Sequence, residues 1–279
     1  IRPQPRSRGL GDVYKRQGKI DQKAIEASNN LKAGEVLLFE NIRFFKEEES
    51  NEESFAKKLA SLGDIFINEA FSCSHRNHAS ITGVTEYLPS FFGIHLQKEI
   101  NALDLFKANK DTMRKLRKMV ILGGNKIDDK LPMLRILANT VDVIFLAGNT
   151  LNHREDYAHI IKELGSKNAT LIMAEDGFGN VEDNEGDYIP DINKPNVNWI
   201  IKDVGPKTIL TLQKLIATMD IIFWNGTLGI VESPVYKRGS LLLLHALEHC
   251  KANVIIGGVD TAGFVNQYPN TLSHISTGG

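Results

Sequence analysis

Met119-Val120-Ile121-Leu122-Gly123-Gly124-Asn125-Lys126-Ile127-Asp128-Asp129-Lys130 passes from four apolar residues, two of them β-branched, through a glycine pair into a charged stretch. Helix-forming text with apolar residues at helical spacing follows it. A buried strand that turns through glycine into a helix is the repeating unit of an α/β fold with a parallel sheet. The same sentence of sequence recurs outward in both directions. Apolar runs at 35–39, 65–68, 143–146, 170–173, 221–224 and 253–256 join the run at 119–122 as expected strands. Most are continuously apolar rather than alternating, as parallel strands covered on both faces are. Between them, 51–62, 129–140, 157–164, 206–218 and 240–251 read as helices.

Composition bounds what such a chain can do. The 279 residues are 42% hydrophobic and 24% charged, and 33 Lys and Arg against 34 Asp and Glu leave a formal net charge of -1. With no basic surplus, binding to nucleic acid or to an anionic membrane is not expected, so any bound anion must be gripped locally. The apolar run 241–247 is far short of the roughly 18 residues that span a bilayer. Cys73 and Cys250 lie far apart and form no Cys-x-x-Cys pair, which fits a reducing cytosol. Cys73, His75 and His78 have a spacing seen in metal sites, but no fourth ligand stands near them.

Both ends read as cut, since Ile1 is not an initiator Met and Ser276-Thr277-Gly278-Gly279 resembles the middle of a loop. Residues 1–17 carry five basic residues against one acid with no apolar periodicity. They are read as a non-native or disordered leader and set outside the fold. The helix-rich stretch 96–109 is expected to link two lobes, 18–108 and 109–279. The polar, proline-bearing stretch 183–198 reads as a surface excursion of the second lobe.

Three glycine turns carry the chemistry. At 123–130, free backbone N–H groups and the positive end of a helix face the turn, with Lys126 and Lys130 as mobile charges. That is either a phosphate site or a capped helix with solvated lysines. In Trp224-Asn225-Gly226-Thr227-Leu228-Gly229-Ile230-Val231-Glu232, the chain leaves a strand through two glycines and reaches an acid. Glu232 reads as a ribose ligand or as an exposed loop acid. In Gly257-Gly258-Val259-Asp260-Thr261, Asp260 reads as an N-cap or as a ligand for nucleotide-borne Mg²⁺.

Together with Ser273-His274-Ile275-Ser276-Thr277-Gly278-Gly279, these turns resemble the phosphoglycerate kinase family. Leu38-Phe39-Glu40-Asn41-Ile42-Arg43-Phe44 is similar to that family's Leu-Leu-Glu-Asn-Leu-Arg-Phe, and the segment 67–80, with Asn68-Glu69-Ala70-Phe71 and His75-Arg76-Asn77-His78, to its Asn-Asp-Ala-Phe…His-Arg-Ala-His. The likeness runs in order from about residue 31 to 279. It implies two Rossmann-like α/β lobes, the first incomplete, and reversible transfer of the acyl phosphate of 1,3-bisphosphoglycerate to MgADP, giving 3-phosphoglycerate and MgATP. It also implies a monomeric, cytoplasmic enzyme.

Carried over by motif position, Arg43 and Arg76 hold the glycerate, with His75 beside Arg76. Lys130 contacts nucleotide phosphates and Lys126 the phosphoryl group in flight. Glu232 takes the ribose hydroxyls, Asn225 the phosphate side, and Asp260 the magnesium. Gly124, Gly148, Gly258 and Val259 line the nucleotide, while Thr261, Gly278 and Gly279 cradle phosphate oxygens.

The resemblance also has departures. Asn125 stands for alanine, Thr227-Leu228 for Pro-Met, Ala147-Gly148-Asn149 for a glycine-rich adenine pocket, and Val259 for the third glycine of a triplet. A β-branched residue resists φ > 0, so strain is expected at Val259. The family's opening Asp-x-Asn and Ser-His-x-x-Arg segment has no counterpart, so part of the glycerate site is expected to be absent and the chain alone inactive in transfer. The alternative is a degenerate, non-catalytic nucleotide-binding relative.

Overall fold

A computed structural model describes residues 2–3, 13–16, 20–107, 115–124, 138–153, 162, 169–181, 184–192 and 199–276. They fall into two compact units, 1–99 and 100–278, described separately below. The division lies within a helix, Ile94–Lys107, rather than at its C-terminal end as the sequence implied.

In the first unit, strands β1 (Arg2–Pro3), β2 (Val13–Arg16) and β3 (Val36–Phe39) form one sheet. β2 runs parallel to β3, with Val13 opposite Val36 and Arg16 opposite Phe39. Part of the stretch set aside as a leader therefore joins a sheet, with Val13–Arg16 between β1 and β3. The reason is generic: an edge strand offers a row of unpaired N–H and C=O groups, and Val13-Tyr14-Lys15-Arg16 has the composition to pair with it. Strands β4 (Phe66–Asn68) and β5 (Ser90–Phe92) pair in parallel. Helix α1 (Gln22–Asn29) is capped by Asp21, whose carboxylate accepts from Ala24 N–H at 3.0 Å. Two short helices, α2 (Lys46–Glu49) and α3 (Glu53–Ala60), follow β3. Phe55 and Ala56 of α3 close a small core with Ile20 and Ala79. Helix α4 (Ile94–Lys107) starts on Glu69, whose carboxylate accepts from His95 and Leu96 N–H, both at 3.0 Å.

The second unit is built on six parallel strands. β6 (Lys118–Leu122), β7 (Val143–Leu146) and β8 (Thr170–Met173) extend to one side, and β12 (Ile221–Asn225), β13 (Asn253–Gly257) and β14 (His274–Ile275) to the other. The spatial order is β14-β13-β12-β6-β7-β8, so the winding direction reverses between β6 and β12. Every pairing in this sheet is parallel. Leu122, Leu146, Asn225 and Gly257 stand level at the carboxyl ends. All five residues of β6 are buried, Lys118 together with the apolar Met119–Leu122 that a strand covered on both faces requires.

Alternate side chains point to opposite faces. Met119 and Ile121 join Ile222, Trp224, Val254 and Ile256 against helices α5 (Pro206–Ile216), α6 (Arg238–Glu248) and α7 (Val259–Val265). Val120 and Leu122 pack on the other face with Ile144, Leu146, Ala138, Val141 and Ala169. The expected helix at 129–140 lies largely, and that at 157–164 almost wholly, outside the described residues.

The polar stretch beyond residue 183 is a correction. Strands β9 (Gly177–Val181), β10 (Asn184–Ile189) and β11 (Trp199–Val204) form an antiparallel sheet in the order β10-β9-β11. The first part of the expected surface excursion is thus a strand. Its tie to the body is Asp176, a fully buried carboxylate that accepts from Tyr188 Oη and from Lys207 and Thr208 N–H at 2.8–3.0 Å. The same contacts cap α5, which begins with Pro206. No helix among the described residues is long and apolar enough to cross a membrane.

Candidate functional site

The switch point of the second unit is made by glycine turns pressed backbone to backbone. Gly123 N–H donates to the Asn225 carbonyl (3.0 Å), Gly124 N–H to the Thr227 carbonyl (2.9 Å), and Asn149 N–H to the Gly124 carbonyl (3.0 Å). There is no room for side chains here. A Cβ on Gly123 would meet the Thr227 carbonyl oxygen at 2.1 Å, and one on Gly148 the Gly124 nitrogen at 2.5 Å. Gly226 is pinned at both ends of its peptide, its N–H donating to Thr261 Oγ1 and its carbonyl accepting from Trp224 Nε1, each at 2.7 Å.

Outside these turns a cleft of about 490 Å³ opens. Gly124, Gly148, Asn149, Asn225, Gly226 and Thr227 line its floor at the strand ends. Gly229–Glu232 form one wall, Gly258–Thr261 another, and Ile200, Ile201 and Lys202 of β11 with Asn152 a third. Open α/β sheets bind ligands at this place, outside the carboxyl ends of the strands where winding reverses.

The cleft brings together Gly124, Gly148, Asn225, Glu232, Gly258, Val259, Asp260 and Thr261, eight residues singled out by the sequence. Glu232 and Asp260 are exposed to it, and among the described residues neither carboxylate has a hydrogen-bond or ion-pair partner. The Thr261 hydroxyl is buried and already accepts from Gly226, which leaves its own proton to donate. Lys126, Lys130, Gly278 and Gly279 lie outside the described residues.

Val259 is not strained. The residue with positive φ is Gly258 (86°), the N-cap of α7, and Val259 is the first helical residue, 75% exposed. The expectation placed the left-handed residue one position too late. Val259→Gly is therefore expected to relieve nothing and to cost about 0.5–1 kcal/mol in urea denaturation, because glycine is a poor helix former; a gain in stability would restore the strain argument. Asp260 sits in the first turn of α7 without capping it.

Several contributors have no signal in the sequence. Asn152 clasps β11 like a neighbouring strand: its Oδ1 accepts from Ile201 N–H and its Nδ2 donates to the Ile201 carbonyl, both at 2.8 Å. Lys202 lies with its ammonium 5.1 Å from the Tyr236 ring. Behind the cleft, Asp203 is 1% exposed, and burial pushes its carboxyl up to about 7 against the opposing backbone N–H donors of Gly239, Val204 and Arg238.

In the first unit, Arg43 and Arg76 come from segments that meet. Arg43 lies in a one-turn helix, Ile42–Phe44, where its N–H donates to Asn41 Oδ1 at 3.0 Å. Its guanidinium donates to Cys73 Sγ at 2.9 Å, three residues from Arg76. The loop carrying Arg76 is staked by Glu48, 1% exposed, which accepts from Ser80 N–H at 2.9 Å and lies 3.7 Å from His78 Nδ1. Asn51 Nδ2 also donates to Asn77 Oδ1 at 3.0 Å. Among the described residues neither arginine is ion-paired, and His75 makes no hydrogen bond to Arg76. No group of three His, Cys, Asp or Glu side chains that could hold a metal occurs among the described residues.

Comparison with known proteins agrees with this geometry. The family model for phosphoglycerate kinase matches residues 8–279. The phosphoglycerate kinase of Wolbachia pipientis subsp. Culex pipiens is 35% identical over 289 aligned positions, covering 93% of this chain and 71% of the relative. That of Coprothermobacter proteolyticus is 33% identical, covering 91% of this chain and 68% of the relative. Among solved structures, phosphoglycerate kinase from Coxiella burnetii superposes with a TM-score of 0.78 at 27% identity, over 96% of this chain and 72% of that one. The enzyme from Pyrococcus horikoshii shares the fold at a TM-score of 0.80 and 24% identity, over 96% and 73%. A family match over nearly the whole chain, and a sheet whose switch point opens into a cleft lined by the carboxylates of Glu232 and Asp260, lead to one conclusion: the chain belongs to the phosphoglycerate kinase family.

Proposed function

We infer that this chain serves the reversible transfer of a phosphoryl group between 1,3-bisphosphoglycerate and ADP, giving 3-phosphoglycerate and ATP, with the nucleotide held in the cleft of the second unit. The observation that carries this is the convergence of Glu232, Asp260 and the glycine turns on one crevice at the switch point. Glu232 accepts the two ribose hydroxyls, and its charge makes those hydrogen bonds strong. Asn225 and the turn at Gly258–Thr261 face the nucleotide phosphates, with Lys126 and Lys130 assigned to the same phosphates by motif position. Arg43 and Arg76 take the anionic glycerate, since planar guanidinium forks match carboxylate and phosphate.

Asp260 fits Mg²⁺: it is a hard oxygen donor without another partner among the described residues, and magnesium is usually held by one or two carboxylates plus substrate phosphates. When bound, the metal neutralises phosphate charge. No general base is called for, because phosphoryl transfer rests on positioning and charge stabilisation. The same reading makes the protein a cytoplasmic monomer.

Isothermal titration with ADP tests the assignment. Glu232→Gln is expected to weaken MgADP about 10- to 100-fold, the worth of one or two charge-assisted hydrogen bonds. Asp260→Asn is expected to weaken ADP only when Mg²⁺ is present and to leave the EDTA titration unchanged. Wild-type affinity in both variants would remove the nucleotide from this cleft.

A further inference from the structure

The segment 226–232, which ends in Glu232, is held through its backbone at several points, among them the Thr227 carbonyl, which accepts from Gly124 N–H. Gly226 is gripped by Thr261 and Trp224, as described, and Ile230 N–H donates to the Lys202 carbonyl at 3.1 Å. A further tie is different in kind: Leu228 N–H donates to Ser240 Oγ at 3.0 Å. Ser240 is completely buried and does not line the cleft. It lies in the first turn of α6, which the preceding Lys237 does not cap through its side chain. The cap comes from another strand. Asp203 at the end of β11 accepts from Gly239 N–H at 2.8 Å and from the backbone of Arg238. Two glycines make this approach possible, since a Cβ on either Gly229 or Gly239 would lie 2.4 Å from Asp203 Oδ1.

We propose that Ser240 is a positioning residue for the nucleotide ribose, set in place by Asp203: its hydroxyl holds Leu228, and through that tie fixes where Glu232 stands. An unpaired, buried Leu228 N–H could regain a partner only by moving the loop, since such groups are costly to leave unmatched. Glu232 is four residues along the same segment and among the described residues has no partner of its own to restore its place. The inference rests on the reading of Glu232 as the ribose ligand.

The experiment is titration of the full chain with MgADP and with Mg-2′,3′-dideoxyADP, which lacks the hydroxyls. Wild type is expected to prefer ADP, and Glu232→Gln to lose that preference. Ser240→Ala is expected to weaken ADP about fivefold, as the loss of one neutral hydrogen bond's worth of placement would, while the dideoxy nucleotide changes less than about twofold. Ser240→Thr keeps the hydroxyl and is expected to keep the preference. Should Ser240→Ala fail to fold, Ser240→Cys, alike in shape though larger and a poor acceptor, decides by the same ratio. A Ser240 variant that weakens both nucleotides equally, or neither, overturns the proposal while leaving the role of Glu232 intact. A wild type without preference for ADP overturns the reading of Glu232 itself.

Discussion

Gly226→Ala is expected to destabilise the second unit by about 3–5 kcal/mol and to abolish measurable MgADP binding. Two costs add. Gly226 has φ 91°, a conformation that costs a residue with a Cβ on the order of 1–3 kcal/mol. The added Cβ would also stand 2.1 Å from the Gly123 carbonyl oxygen and 2.3 Å from its carbon. Those are backbone atoms at the end of β6, so no rotamer change relieves the clash, and overpacking of this kind costs roughly 1–3 kcal/mol more. The only way out is to part β6 from β12 at the switch point, which takes the cleft floor with it. Gly263→Ala is the matched control: its Cβ would meet nothing within 4 Å, and it is expected to hold or raise stability by up to about 1 kcal/mol. Urea denaturation and titration with MgADP read both variants, and nucleotide binding by Gly226→Ala at wild-type affinity would show that the turn is not the floor of the site.

The second large effect is a pH dependence set by Asp203. Its carboxyl is raised from 3.8 to about 7, first by burial and in spite of three backbone N–H donors. Between these values the folded chain holds a proton that the unfolded chain has released. Stability from this group is therefore complete below about pH 4 and is lost as pH rises through 7. The full span is on the order of 4 kcal/mol, at 1.36 kcal/mol per pKa unit. Of the charged and titratable side chains on the adjoining elements, Lys202, Tyr236, Lys237 and Arg238 have no ordinary pKa inside that window, while His245 and Glu248 of α6 are common to both proteins and drop out of the comparison below. Asp203→Asn removes the titration and also places an amide against N–H donors, so it is expected to destabilise at every pH, by an amount largest near pH 4.5 and smallest at pH 8. Urea midpoints of both proteins at pH 4.5, 6 and 8 check this. A gap that stays constant would mean that Asp203 ionises like a surface aspartate.

Why some of this could be read in advance and some not is visible in individual residues. β6, β7, β12 and β13 announce themselves as Met119–Leu122, Val143–Leu146, Ile221–Trp224 and 253–256 because a strand covered on both faces must be apolar at every position. The glycines at their ends are equally legible, since the turns come within 2.1–2.5 Å of where a Cβ would be. That Glu232 and Asp260 line one cleft was implied by the resemblance of their motifs to the family's. β10 was hidden for the opposite reason: Asn184-Glu185-Gly186-Asp187 carries no apolar alternation, and its pairing depends on a register with β9 that shifts between Glu185 and Asp187. The edge at Val36–Phe39 likewise accepts Val13–Arg16 on backbone hydrogen bonds, which composition does not encode.

By itself, then, the sequence determined the parallel α/β class and the positions of the buried strands and tight glycine turns, because burial and close approach restrict residue type directly, whereas the exposed acids at the cleft were marked only by the family resemblance. Only the tertiary structure decided that Gly258 rather than Val259 takes the left-handed turn, that Asp203 leaves the surface to cap α6, and that Ser240 reaches Leu228. The last two of those outcomes depend on which backbone N–H group a distant segment brings within about 3 Å. A donor of that kind is the same in every residue but proline, and so leaves no mark in the text.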